Sequence, residues 1–217
     1  MADQRALAYE TPRSEIADRV PPGTTRLLDL GCAAGGLATL LPGVEVVGVE
    51  LDEEYAAAAE RHCARVIHAD VEQLARDGLE GLGRFDCLVA ADVLEHLVDP
   101  WSALRAYARL LQPGGAAIVS LPNVAHWSTY AALVRGSWPR NPEGIHDATH
   151  LRWFTLRDAR ELVEQAGLAV AAVDRRPRLV WRGSRVDDLL GPLALRIPAV
   201  RTLVTFQYVL TAYPARA

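Results

Sequence analysis

The sequence predicts an α/β fold in which a largely parallel sheet is covered by helices on both faces. Three observations carry that prediction. Short apolar runs rich in Leu and Val alternate with helical segments along most of the chain. The first of these runs, Leu27–Leu30, stops at a turn containing Gly31, Gly35 and Gly36, as a buried strand does before a helix. Carboxylates mark the ends of four successive runs, at Asp29, Glu50, Asp70 and Asp92.

The elements follow in order. "LATLLPG" reads as a short helix closed by Pro42 and Gly43, and "VEVVGVE", Val44–Glu50, as a second strand rich in β-branched residues. In "LDEEYAAAAERHCARV" Asp52 is an N-cap, Glu53 and Glu54 occupy the first turn, and Arg61 and Arg65 lie at the far end, so the charges complement the helix dipole. "VIHAD" is a third strand ending in Asp70, and "FDCLVAAD", Phe85–Asp92, a fourth. A helix starting at Pro100 and closed by Pro113, Gly114 and Gly115 leads to the fifth strand, "AAIVSLP". Thr155–Gly167 is helical, followed by a strand, "LAVAAVD", and by a closing strand, "TFQYVLTAY", expected to run antiparallel beside the fifth.

Two stretches break this rhythm. Residues 123–150 are rich in Trp, His, Pro and Gly, and residues 175–198 are rich in Arg with Pro192 and Pro198. Both are expected to be ordered insertions on the substrate side, because long irregular segments on a compact scaffold are usually functional. Residues 1–24 are expected to fold over the site as an N-terminal lid, within one domain spanning 1–217.

Composition narrows the chemistry. At 217 residues the chain suits one domain with a sizeable core, and its 50% hydrophobic content is that of a globular protein. A net charge of −4 offers no footprint for nucleic acid. All basic residues are Arg, which excludes Schiff-base chemistry and a phosphate-binding lysine. Cys32, Cys63 and Cys87 lack metal-site spacing and are expected as reduced, buried thiols. The polar N-terminus and the lack of a long uncharged apolar run imply a cytoplasmic protein with no membrane span, as a monomer or homodimer.

In open α/β sheets ligands bind beyond the carboxyl ends of the strands. Four carboxylates there oppose a ligand with two phosphates and suit one that carries a cation and ribose hydroxyls. The glycine spacing agrees: a dinucleotide turn wants glycine at its third place, where this chain has Ala33.

"LLDLGCAAGG", "VVGVELD", "HADVE" and "FDCLVAADVLEHLVDP" together resemble the successive motifs of class I S-adenosylmethionine-dependent methyltransferases, over about Leu27 to Pro122. More loosely, "YETPRSEIADRVPPG", "SLPNVAHW" and the segment from His146 to Leu168 resemble a bacterial subgroup linked to natural-product or surface-sugar modification, and the ubiquinone-type O-methyltransferases. The resemblance implies a Rossmann-like seven-stranded sheet with the last strand antiparallel. It implies S-adenosylmethionine as cofactor, leaving as S-adenosylhomocysteine. Gly31 and Gly35, with Cys32 and Ala33 between them, would meet the methionine part. Glu50, with Leu51 beside it, would accept the ribose hydroxyls, and Asp70 would bind the adenine amine with Val71 against the ring. Asp29 and Asp92, with Ala91 and His96 nearby, would order the surroundings of the amino group and sulfonium. Tyr9 and Arg13 would hold the cofactor carboxylate. Simpler roles compete: Asp29 ordering the turn, Glu50 pairing with an arginine, Asp70 capping the next helix.

Methyl transfer from a sulfonium asks the protein mainly for positioning. An oxygen acceptor must also lose a proton, and with Lys absent the natural base is histidine. His62 and His68 read as structural, and His96 as a residue against the cofactor. His126, His146 and His150, in the first insertion, supply the expected base, with His150 favoured because it directly precedes a helix, and His146 next. Histidine spacing is not that of a closed zinc site, so no metal is expected. Trp181 and Arg182 are either solvated or contacts for an anionic acceptor. The expected activity is methylation of a small-molecule acceptor, at oxygen before nitrogen or carbon; an NAD-dependent reductase and a non-catalytic cofactor-binding partner are the alternatives.

Overall fold

The computed structural model describes residues 13–180 and 185–215. Among them, seven strands form one sheet: β1 (Arg26–Leu30), β2 (Glu45–Glu50), β3 (Arg65–His68), β4 (Phe85–Ala91), β5 (Leu111–Pro122), β6 (Leu168–Pro177) and β7 (Thr205–Pro214). Their order is β3-β2-β1-β4-β5-β7-β6. The pairs among β1–β5 are parallel, whereas β7 lies antiparallel between β5 and β6, with Leu210 opposite both Val119 and Val173. The closing strand therefore pairs with the fifth as expected.

The described helices are α1 (Ser14–Ala17), α2 (Glu53–Ala59), α3 (Val71–Asp77), α4 (Pro100–Ala108), α5 (Trp127–Val134), α6 (Leu156–Gln165), α7 (Arg185–Leu195) and α8 (Pro198–Val204). Alternation along the strands divides the core into two layers. Leu28, Leu30, Val47 and Val49 pack on one face with Val71 of α3, Leu104 and Tyr107 of α4, and Leu162 and Val163 of α6. Leu27, Val46 and Val89 pack on the other with Ile16 of α1, Leu37 and Ala59 of α2. All three cysteines are reduced and buried, as expected.

Several boundaries move, each for a local reason. "LATLLPG" makes only a 3-10 turn, Ala38–Leu40, because Pro42 and Gly43 stop it within one turn. α2 is capped by Asp52 as predicted but ends at Ala59, so Arg61 lies in the following turn and Arg65 begins β3. β3 stops at His68, and Asp70 is the N-cap of the short, polar α3, its Oδ1 accepting from the Gln73 amide at 2.8 Å. α4 closes at Ala108, and Pro113-Gly114-Gly115 forms an irregularity in β5, where the pairing jumps from Phe85–Leu111 to Cys87–Ala116. Thr155 caps α6 in a reciprocal arrangement with Asp158. The first insertion contains α5. In the second, β6 runs on to Pro177, and helices follow from Arg185, with Pro192 inside α7 and Pro198 opening α8.

Strand order reverses between β1 and β4, the place where this architecture binds ligands. Asp29 and Gly31 come from one side of that crevice, and Asp92 to His96 from the other.

Candidate active site

The turn after β1 is built from left-handed residues. Gly31 has φ +68°, and a Cβ there would stand 3.0 Å from Val93 Cγ2; Gly35 has φ +78° and would meet the backbone of Ala59 at 3.2 Å. Ala33 also has a positive φ, 47°. For a residue with a Cβ this costs roughly 1–2 kcal/mol, and Glu50 offsets it: Oε2 accepts the Ala33 amide at 2.8 Å. Oε1 of the same carboxylate accepts the amides of Leu51 and Asp52, both at 2.9 Å. Glu50 is thus buried and committed to backbone N–H groups, not to an arginine. The Cys32 side chain points away from the crevice into the core, against Gly48, where any Cβ would come within 2.4 Å of its Sγ. Only the backbone of Cys32 is left to meet a ligand.

The acids differ in their surroundings. Asp29 is buried and accepts no side-chain hydrogen bond among the described residues. Burial, opposed by Arg13 and reinforced by Glu50, raises its carboxyl to about 7. Such a group gains most from a cationic partner, so an ammonium-bearing cofactor fits here and a pyrophosphate does not. Asp92 is the reverse case. It has φ +54° and accepts from Arg13 Nη2 at 2.7 Å, Ser120 Oγ at 2.7 Å and Gln207 Nε2 at 2.7 Å. Burial works against its ionisation, but Arg13 and these hydrogen bonds hold the carboxyl below its ordinary range. Arg13, expected to meet a cofactor carboxylate, is instead bonded to Asp92 and, at 3.2 Å, to Glu15.

Beyond Asp92 the chain makes a 3-10 turn, Leu94–His96, that delivers Glu95 and His96. Glu95 is 1% exposed, and its Oε2 has no hydrogen-bond partner among the described residues. Its carboxyl is raised well above the usual value by burial and by Asp92. Its backbone carbonyl accepts the amides of Leu151 and Arg152, which brings the end of the first insertion against it. His150 Nε2 consequently stands 3.9 Å from Glu95 Oε1, and the His150 ring packs edge-on to His96 with centroids 4.7 Å apart.

Hydrogen bonds fix both tautomers. His150 Nδ1 lies 3.1 Å from the Ile145 carbonyl, which can only accept, so Nδ1 carries the proton and Nε2 the lone pair. Thr149 donates its hydroxyl to Asp147 at 2.6 Å, so His96 Nδ1 must donate to Thr149 Oγ1, 3.0 Å away. Burial and the neighbouring His96 lower the His150 pKa. Glu95, His96 and His150 place potential ligand atoms within 4.8 Å of one another. This cluster is one the histidine spacing did not reveal, because its third member is a carboxylate.

The other predicted residues separate. His126 caps α5, and both ring nitrogens are used, at 2.8 Å by Ser128 Oγ and 2.7 Å by the Arg178 carbonyl. His146 is buried edge-on to Trp138, with Nε2 unpartnered among the described residues and its pKa lowered by burial. His62 backs Gly35, and His68 Nε2 is 3.0 Å from the Leu51 carbonyl. Leu51 is exposed beside Glu50, Val71 is buried next to Asp70, and Ala91 ends β4 before Asp92. Tyr9, Trp181 and Arg182 lie outside the described residues. Glu95, Ser120, Gln207 and Thr149 were not singled out from the sequence. Ser120 and Gln207 carried a signal, as lone polar residues inside apolar strands, and Glu95 another, as the neighbour of His96.

A parallel sheet closed by an antiparallel strand, with a glycine turn and acids at its crevice, defines a class I S-adenosylmethionine-dependent methyltransferase. The chain belongs to that family: the family described as "Methyltransferase domain" matches residues 1–173. S-adenosylmethionine is its methyl donor. The chain is similar to the ubiquinone biosynthesis O-methyltransferase of Cereibacter sphaeroides (strain ATCC 17029 / ATH 2.4.9), 32% identical over 176 residues covering 78% of this chain and 69% of that one. It is also similar to the protein of the same name from Ruegeria pomeroyi, 34% identical over 181 residues covering 79% and 70%. A solved S-adenosylmethionine-dependent methyltransferase from Archaeoglobus fulgidus shares the fold with a TM-score of 0.68 at 16% identity, covering 97% of this chain and 98% of that one. Magnesium protoporphyrin IX methyltransferase from Synechocystis PCC 6803, solved with S-adenosylhomocysteine, shares it with a TM-score of 0.59 at 17% identity, covering 97% and 81%.

Proposed function

We propose that the protein methylates a hydroxyl oxygen of a small molecule, with His150 as the base. The observation that carries this reading is the His150 tautomer. With Nδ1–H donated to the Ile145 carbonyl, the buried Nε2 holds a lone pair 3.9 Å from Glu95 Oε1. S-adenosylmethionine supplies the electrophilic methyl. Asp29 would hold its ammonium, the Gly31–Gly35 backbone its methionine chain, and Asp70 and Leu51 its adenine; the Glu50 carboxylate keeps capacity for one further donor beside its three amides.

His150 Nε2 takes the hydroxyl proton as oxygen attacks the methyl, and Glu95, 3.9 Å away, faces the imidazolium that forms. Burial keeps His150 neutral at pH 7, which a base requires. The similarity to ubiquinone biosynthesis O-methyltransferases supports oxygen as the acceptor atom. His96, aligned through Thr149 and Asp147, positions the His150 ring. The experiment is turnover of His150→Ala with a hydroxylated acceptor, alongside binding of S-adenosylhomocysteine. Lost turnover with retained binding supports the base; retained turnover rejects it.

The cluster of Glu95, His96 and His150 favours a second reading. Each histidine donates its Nδ1–H to an oxygen acceptor, the arrangement by which metal-bound histidines are usually oriented, and Glu95 Oε2 lacks a hydrogen-bond partner among the described residues. A divalent cation held there would lower the acceptor hydroxyl's pKa as a Lewis acid. Turnover that disappears on chelation and returns with added magnesium or zinc selects this reading; turnover indifferent to chelation selects the free base.

A further inference from the structure

The connection from β6 to β7 carries a charge and an apolar surface to which the proposed methyl transfer assigns no role. Residues 175–204 contain seven Arg against two Asp, a net charge of +5, in a chain whose total is −4. The rest of the protein is therefore strongly acidic, and this one segment is basic.

α7 is attached to the body by a narrow edge. Asp187 Oδ1 accepts the amides of Leu179 and Val180 at 2.5 and 3.0 Å, and Gly191, one turn on, is buried so closely that a Cβ would lie 2.7 Å from Pro177. At 100° per residue, Leu189 and Leu193 fall on the side opposite Asp187 and Gly191, with Leu190 on the flank between them. Leu189, Leu190 and Leu193 are 77%, 45% and 57% exposed, and Ile197, one turn past Leu193, is 50% exposed. Arg196 follows Leu189 by seven residues and so borders the same face. Arg196 and Arg201 are both exposed, and neither has an ion-pair partner among the described residues.

A solvated helix would not keep its leucines outward and its glycine inward. From this surface we infer that α7 and α8 dock the enzyme on an anionic membrane surface, with Leu189, Leu190, Leu193 and Ile197 entering the headgroup boundary. Arg196 and Arg201 then meet lipid phosphates. The charge selects this occupant: apolar burial alone would serve a second copy of the chain, but two copies would bring two basic segments together, whereas an anionic bilayer neutralises them. No described helix is long and apolar enough to cross a membrane, and peripheral docking needs none.

The test is co-sedimentation of the full chain with vesicles of phosphatidylcholine alone and of equimolar phosphatidylcholine and phosphatidylglycerol. Binding is expected to the anionic vesicles, weak or absent on the neutral ones, and reduced by salt. The double substitution Leu189→Glu with Leu193→Glu should weaken it on the order of tenfold or more, and Arg196→Glu with Arg201→Glu by a similar factor. All four positions are exposed, so circular dichroism melting should match the wild type. Failure to bind anionic vesicles overturns the inference, as does binding that survives both double substitutions. A lipid-free dimer that Leu189→Glu with Leu193→Glu dissociates, with no vesicle binding, would assign the face to a second copy instead.

Discussion

The connection from β5 to α6 and the connection from β6 to β7 are both long insertions that expose large apolar side chains, Tyr130, Leu133 and Val134 in the first and Leu189, Leu190 and Leu193 in the second, yet only the first also buries histidines. The first turns polar groups inward: His126, His146 and His150 are all buried, Thr149 links Asp147 to His96, and the Glu95 carbonyl is tied to Leu151 and Arg152. The second turns leucines outward and is held by Asp187 and by Gly191 against Pro177. Burying histidines costs desolvation that a connecting loop has no structural need to bear, and exposing leucines forgoes hydrophobic stabilisation. An insertion that buries histidines is suited to chemistry, and one that exposes leucines without burying titratable groups is suited to a surface.

The largest effect that would break this contrast is at His150. His150→Ala should lower turnover roughly 10²- to 10⁴-fold while leaving the calorimetric titration with S-adenosylhomocysteine nearly unchanged; near-normal turnover would make the first insertion as structural as the second. The pH profile sharpens the point. Burial lowers the His150 pKa, so the neutral base persists through pH 7, and kcat should fall only as pH drops below the ordinary histidine value near 6.5. A fall centred above that value would exclude His150.

Glu50→Ala removes the acceptor of three amides and frees the strained Ala33 turn, which should weaken S-adenosylhomocysteine by about 1–3 kcal/mol. An unchanged titration in a folded variant would show that neither insertion matters to a site whose floor is dispensable. Asp29 gives a smaller, proton-counting test. Its carboxyl near 7 is partly protonated at neutral pH, and a cofactor ammonium beside it favours the ionised form. Binding at pH 7 should therefore release up to about half a proton, read from titration enthalpies in buffers of different ionisation heat; proton uptake would contradict the assignment. The smallest effect belongs to the outward side chains of the second insertion. Leu189→Glu should change unfolding free energy by no more than about 0.5 kcal/mol because the side chain is exposed, whereas Gly191→Ala, forced against Pro177, should cost about 1–3 kcal/mol.

The sheet was legible because its signals are local. Leu27–Leu30, Val46–Val49 and Phe85–Ala90 each announce a buried strand by composition, and Asp52 and Thr155 cap their helices through contacts a few residues away. The acids at strand ends were legible for the same reason: the end of a parallel strand is a position that sequence alone locates, and in this architecture ligands bind there. Partners across the chain were not. Nothing near Arg13 in sequence says that it pairs with Asp92, 79 residues on, or that Gln207 reaches the same carboxylate from β7. Sequence ranked the three insertion histidines only by their neighbours along the chain, and only folding gives His126 a cap's hydrogen bonds, seats His146 on Trp138 and sets His150 beside Glu95. The α7 helix is the extreme case. Its sequence reads as an ordered insertion, and which of its sides faces the protein depends on where Pro177 ends β6. Periodicity and caps act over one or two turns and are written in the order of residues; burial, tautomer and ion pairing depend on what the fold brings alongside.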